Sequence, residues 1–377
     1  MKLTNLKKIL ILLVLFGAAC SQKKADEVAA STTPPQTEDT TKPRYLYVTS
    51  GTCYSGTGNT TFTATTASNL VYRLSLATGK KDMTIADFNS APANAGDSPV
   101  CAIEQDKDNL LVAVESTSGR RIEKVAKAAS PSRAIFSSNT AALSAVLKSI
   151  IKTPDNGYLI AKTAGIEKFS SQGVRIGSAA YVGTSLGTIC GATNTNIIGA
   201  VTNSSGKIFY INALASNNRW GVITSTGYNG LDAHCLGVRS APNANSYPVA
   251  IVYLQSVNQV MVAYAGNAIT TDLNSIYVYD FDDTTNAIST GVKIYDSSTY
   301  VTTGYLLYGI SAMTYDSVDN SLYVATAISS ATTVVNYSIE KLSYNPSAKT
   351  LTRVASDLPF YNYGVDTKCI SSLAIAE

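Results

Sequence analysis

The sequence predicts an all-β chain folded as a closed β-propeller of six blades, with a seventh left open by one irregular region. Three observations predict it. A three-strand phrase at Gly309–Leu342 (GISAMTYDSVDNSLYVATAISSATTVVNYSIEKL) returns at Cys101–Val125 (CAIEQDKDNLLVAVESTSGRRIEKV). Strands bounded by turn residues then continue from Arg44 to the end of the chain. Finally, each end of the body is a fragment of the unit. Cys369–Glu377 (CISSLAIAE) matches its first strand alone, and Arg44–Gly51 (RYLYVTSG) matches its second. Pairing the two closes the ring and leaves no exposed edge. A right-handed parallel β-helix or a pair of two-sheet sandwiches is the alternative arrangement of such strands.

Composition fits this class. Hydrophobic residues make up 45% of 377 and charged residues 15%, so the body is globular rather than disordered. The 23 Tyr, against 8 Phe and 1 Trp, suit half-exposed strands where a ring and a polar tip are both useful. A net charge of +3 with scattered Lys and Arg supplies no basic stripe, which excludes nucleic acid as a partner. Outside the leader one short helix is expected, around Thr140–Ser149.

The leader, residues 1–19, has Lys2, Lys7 and Lys8 ahead of an apolar stretch at Ile9–Phe16. Eight residues cannot span a bilayer core of about 30 Å, so this is a secretion signal. Its ending, Gly-Ala-Ala-Cys-Ser, resembles the lipobox of bacterial lipoproteins. The resemblance implies cleavage before Cys20, lipid on the Cys20 thiol, and attachment to a membrane. Gly17 stands where that family prefers Leu, and an ordinary signal peptidase site at the same bond is the alternative. Ser21 in place of the retention Asp points to the outer membrane. Residues 20–43 carry Thr, Pro and charge with no apolar period and are expected to be a disordered tether.

The propeller domain is expected over residues 44–377. RYLYVTSG resembles the strand of YVTN-like and NHL-like propeller repeats. First strands are expected at Val100–Glu104, Ser149–Lys152, Thr188–Thr193, Cys235–Val238, Ile310–Tyr315 and Ile370–Ala376. Second strands are clearest at Leu110–Val114, Tyr158–Ala161, Ile197–Val201 and Leu322–Ala325. Third strands are clearest at Ile122–Val125, Ile166–Phe169, Ile208–Ile211 and Ile339–Leu342. The stretch His234–Asp296 is the least regular and forms one elaborated blade or parts of two.

Six cysteines without C-x-x-C spacing, and a single histidine, do not make a soft-metal set. No metal or other cofactor is expected. Cys369 starts the first strand of the broken unit and Cys53 lies just past the end of the second. Antiparallel pairing brings those ends together, so Cys53 and Cys369 are a candidate disulfide clasp, two unrelated thiols being the alternative. Gly183–Gly187 (GTSLG) has the form of a nucleophile elbow, but a strand is expected after it where that motif needs a helix. The acidic turns at Asp106–Asn109, Asp280–Asp283 and Asp316–Asn320 lack full calcium-loop spacing and suit tight turns. The repeats resemble those of lactonase-type propellers, which implies a channel lined by acidic, Asn or His residues from several blades. No such set is legible here, and no catalytic residue is assigned. Loops on one rim remain the expected binding surface, with Tyr54, Tyr305 and His234 as rim candidates. The expected function is a lipid-anchored binding or scaffold module for a protein or glycan of the cell envelope. A lactonase-type hydrolase is the alternative.

Overall fold

The computed structural model describes residues 43–51, 69–89, 97–116, 119–128, 132–138, 142–177, 190–191, 196–213, 218–224, 233–243, 246–266, 274–296, 306–330, 333–353, 360–362 and 370–376. The unit Lys42–Glu377 contains six antiparallel sheets, the blades of a six-bladed β-propeller. Strands β1 (Tyr45–Ser50), β2 (Leu70–Ser75) and β3 (Lys81–Asp87) join β24 (Ser372–Ala376) in the first blade. The second holds β4 (Ser98–Asp106), β5 (Asn109–Glu115), β6 (Arg121–Ala126) and β7 (Arg133–Ser137). The third has three strands, β8 (Leu147–Lys152), β9 (Tyr158–Lys162) and β10 (Gly165–Phe169). The fourth holds β11 (Ile197–Thr202), β12 (Ile208–Asn212), β13 (Arg219–Thr224) and β14 (His234–Ser240). The fifth holds β15 (Ser246–Leu254), β16 (Gln259–Gly266), β17 (Ser275–Asp280) and β18 (Val292–Asp296). The sixth holds β19 (Leu306–Asp316), β20 (Ser321–Ser330), β21 (Thr333–Asn345) and β22 (Thr350–Arg353), with β23 (Tyr361–Asn362) also paired to β21.

The innermost strands form a closed wheel in the order β24, β4, β8, β11, β15, β19, each packed on the next and the last on the first. Each of six apolar clusters fills the gap between one pair of neighbouring blades. Burial is thus spread evenly around the ring, as expected of a sheet that can cover its two faces only by stacking on its neighbours.

The ring closes as the chain ends require. β24 pairs antiparallel with β1 from Tyr45↔Ala376 to Thr49↔Ser372. Thr49 Oγ1 lies 2.8 Å from Ser371 Oγ and donates to Ser372 Oγ at 2.9 Å. Ser372 Oγ in turn accepts from the Ala102 amide at 3.1 Å, which ties the seam to the second blade. On the other side Arg44 pairs with Asp316 of the sixth blade.

A charge pattern repeats with the strands. The third strands of the second, third and sixth blades carry Ile-Glu-Lys at residues 122–124, 166–168 and 339–341. Each glutamate is buried and meets an arginine from the outer edge of its own blade: Glu123 with Arg133 at 2.7 Å, Glu167 with Arg175 at 2.9 Å, and Glu340 with Arg353 at 3.5 Å. Each lysine points the other way, to the turn between the first and second strands: Lys124 to Asp106 at 3.9 Å, Lys168 to Asp155 at 2.6 Å, and Lys341 to Asp319 at 3.1 Å. The acidic turns are therefore turn and ion-pair chemistry. Asp106, Asp282 and Asp319 accept backbone amides two residues on, as Asx turns do.

Three expectations change. Ala142 to Ser149 is turn and then strand β8, not helix. The apolar spacing there serves one buried turn, Ala142–Leu143, and the edge of the inner wheel. In the fourth blade the first strand is Ile197–Thr202 and the second is Ile208–Asn212, one place further in than expected. Cys235–Val238 lies in the outermost strand of that blade, and 246–296 is a whole regular blade, so the count is six.

Candidate functional site: the axial mouth

Five inner strands share one irregularity. The register of each with its neighbour skips a residue at the same depth: Val100 in β4, Lys148 in β8, Ile198 in β11, Val249 in β15 and Ser311 in β19. A bulge leaves its extra residue outside the ladder and re-aims that side chain. In the sixth position Ser371 stands immediately before β24. These six residues, one from each blade, line one cavity of about 60 Å3 on the propeller axis, together with Glu115, Val146 and Leu147.

Crowding explains the local sequence. Six strands converge at this depth, and the residue after each axial position is small: Cys101, Ser149, Gly199, Ala250, Ala312 and Ser372. A Cβ on Gly199 would already stand 3.1 Å from Ile211 Cδ1. This alternation of an axial residue with a small one is the sequence signal that finds the site.

In ring order the axial positions are Ser371, Val100, Lys148, Ile198, Val249, Ser311, which places Lys148 and Ser311 three blades apart across the axis. Of these six positions, three are aliphatic, two are hydroxyls and one is an amine; Val146, Leu147 and the Glu115 carboxylate complete the lining. Burial pushes the Lys148 ammonium down to about 8, Glu115 opposing that fall and Arg120 adding to it. Glu115 is fixed in place: Arg120 Nε donates to its Oε2 at 2.8 Å, and the Leu147 amide donates to its Oε1. Ser371 Oγ lies 3.2 Å from both the Thr49 and the Pro99 carbonyl oxygens. Ser311 Oγ is buried and has no hydrogen-bond partner. Cys101, beside the axial Val100, is a buried free thiol whose pKa burial raises, so it behaves as a small core residue.

The mouth opens on the face that carries the starts of the inner strands and the links between blades. The opposite face carries the tight turns. There a concavity of about 490 Å3 lies between the first and sixth blades, with its charged groups held in the pairs Arg44–Asp316, Lys341–Asp319 and Arg73–Asp82. His234 is exposed at the start of β14, the outermost strand of the fourth blade, at the tight-turn end and away from the axis. Glu104, on the inner strand β4, pairs with Lys127 instead of lining the cavity. Cys20, Cys53, Tyr54, Tyr305, Cys369 and the stretch Gly183–Gly187 lie outside the described residues. Among the described residues a disulfide joins Cys190 to Cys235, with Cα atoms 5.3 Å apart, at the gap between the third and fourth blades. Also among these residues, no three His, Cys, Asp or Glu side chains converge as a metal site would need.

No family model and no curated protein matches the sequence. Solved structures do match the fold. A protein of unknown function from Bacteroides caccae superposes with a TM-score of 0.52 at 12% identity, over 89% of this chain and 100% of that one. A protein from Lactobacillus plantarum gives 0.52 at 11% identity, over 89% and 100%. The periplasmic gluconolactonase of Pseudomonas aeruginosa gives 0.52 at 10% identity, over 89% and 99%. At these identities the likeness is one of fold: this chain is a six-bladed β-propeller of the same architecture as the gluconolactonase.

Proposed function

We propose that the protein is an exported, lipid-anchored β-propeller of the cell envelope that works by binding a protein or glycan partner on the face around its axial mouth. The observation that carries this reading is the lining of the mouth. Five aliphatic side chains, two serines, one lysine and a single carboxylate, Glu115, make a contact surface, whereas hydrolysis of a lactone calls for several converging acidic, Asn or His groups to activate water or hold a metal. The Cys190–Cys235 disulfide supports export, because such bonds persist in oxidising compartments. Anchoring rests on the Cys20 leader alone. Metabolic labelling with a clickable fatty acid should mark the wild type and not Cys20→Ser, and equal labelling of both would remove the anchor.

Binding is tested with the mature chain against solubilised envelope proteins and envelope glycans, beside an assay on a panel of short lactones. The expected result is saturable binding weakened by Val249→Asp at the mouth, with no lactone turnover. Lactone turnover abolished by a mouth substitution would instead establish the hydrolase reading.

A further inference from the structure

Lys148 is the only charged side chain among the six axial positions, and its setting differs from that of the surface lysines. A bulge turns it out of the ladder toward the axis. Aliphatic Val100 and Ile198 flank it in the ring, and across the axis stands the unpartnered Ser311 hydroxyl. A buried hydroxyl without a partner marks a place where a ligand oxygen or a water is accepted. The charged groups near the amine include the Glu115 carboxylate and the Arg120 guanidinium, which are joined to each other.

We propose that the axial cavity captures a short aliphatic carbonyl compound, an aldehyde or small ketone, as an imine on Lys148. The neutral amine adds to the carbonyl carbon, forming the C–N bond, while the carbonyl oxygen takes up a proton facing the Ser311 hydroxyl. Loss of that oxygen as water leaves the imine. One amine and one carbonyl give one imine and one water, with no oxidant or reductant.

Two features support this chemistry over capture of an anion. Desolvation by burial together with a neighbouring cation is the setting that keeps a lysine amine nucleophilic, and the fall toward about 8 has those two causes, with Glu115 opposing them. The fixed Glu115 carboxylate in the cavity lining repels a carboxylate ligand and tolerates a neutral carbonyl. Size sets the class. At about 10–15 Å3 per water-sized atom, a cavity of about 60 Å3 takes a ligand of only a few heavy atoms. The inference stands apart from the partner-binding reading, since a macromolecule can dock on the face whether or not the cavity below is occupied.

The test uses the full chain at pH 8 with limiting propanal and cyanoborohydride, which traps the imine as a stable secondary amine. Time points are mapped by peptide mass spectrometry. Lys148 should be alkylated about tenfold or more faster than the exposed Lys80. Ser311→Ala should reduce that advantage and leave the rate at Lys80 unchanged. A bulky aromatic aldehyde should show no preference for Lys148. Equal rates at Lys148 and Lys80 in the wild type would overturn the proposal, whatever the variants do. Equal preference for both aldehydes would overturn the small-cavity assignment. Partner binding measured on Lys148→Arg separates this outcome from the fate of the docking reading.

Discussion

Glu340 shows how one buried side chain makes the stability of the whole ring depend on pH. Its repeat counterparts have fuller sets of partners. Glu123 meets both Arg121 and Arg133, and Glu167 meets both Lys162 and Arg175. Among the described residues Glu340 meets only Arg353, at 3.5 Å, and its Oε2 is buried without a partner. Burial pushes its pKa up to about 7, with Arg353 opposing. A carboxyl raised in the folded state holds its proton there longer than in the unfolded chain, so the folded form binds more protons between about 4.5 and 7. Stability is therefore highest below that window and falls as pH rises through it. The loss is about 3 kcal/mol at roughly 1.4 kcal/mol per pKa unit. Glu340→Gln, which cannot ionise, should remove this slope. Urea unfolding at pH 4.5 and pH 8 measures it, and an unchanged difference between the two pH values in the variant would show that other groups carry the dependence.

At the scale of elements, close approach of backbones sets the limits on sequence. Gly51 follows β1 directly, against the second blade, and a Cβ there would stand 1.8 Å from the Pro99 carbonyl oxygen. That neighbour is backbone and precedes the axial Val100, so it cannot swing aside. Gly51→Ala should destabilise the domain by about 3 kcal/mol or more through forced separation of the first two blades. Thermal melting beside the control Lys107→Ala, at an exposed turn residue, tests this. A shift no larger for Gly51→Ala than for that control would mean the seam has room. The same crowding explains which elements were legible in the sequence. The termini were readable because RYLYVTS and SLAIA are uninterrupted strands, each matching one part of a unit. The fourth blade was misplaced by one strand because outer Cys235–Val238 and inner Ile197–Thr202 are equally apolar, and a pattern of period two does not say how far a strand lies from the axis. Lys148 was missed for a related reason. Its bulge breaks the alternation of β8, and the preceding Ala142, Leu143, Val146 and Leu147 imitate a helical period. Only comparison of all six blades exposes the site, through the small residue that follows each axial position.

For the whole molecule, closure and cross-link make different demands. The wheel of inner strands is complete only because five residues of the C-terminus pair with β1. Deleting Ser372–Glu377 leaves β1 as an open edge and removes the packing of Leu373 in the gap between the sixth and first blades. The Cys190–Cys235 bridge spans 45 residues and stabilises mainly by restricting the unfolded chain, by about 4 kcal/mol in the chain-entropy model. Both half-cystines already sit in an apolar cluster built from the third and fourth blades, so the folded ring does not need the bond in order to form. Cys190→Ala with Cys235→Ala should therefore lower Tm yet melt in a single cooperative step with native near-ultraviolet circular dichroism. The truncation should abolish that cooperative step, because an open ring lets blades separate one at a time from the broken seam. A truncated chain that still melts cooperatively near the wild-type Tm would show that five closed gaps hold the ring without the sixth. Loss of cooperativity in the double alanine variant would place the organising constraint at the disulfide rather than at the seam.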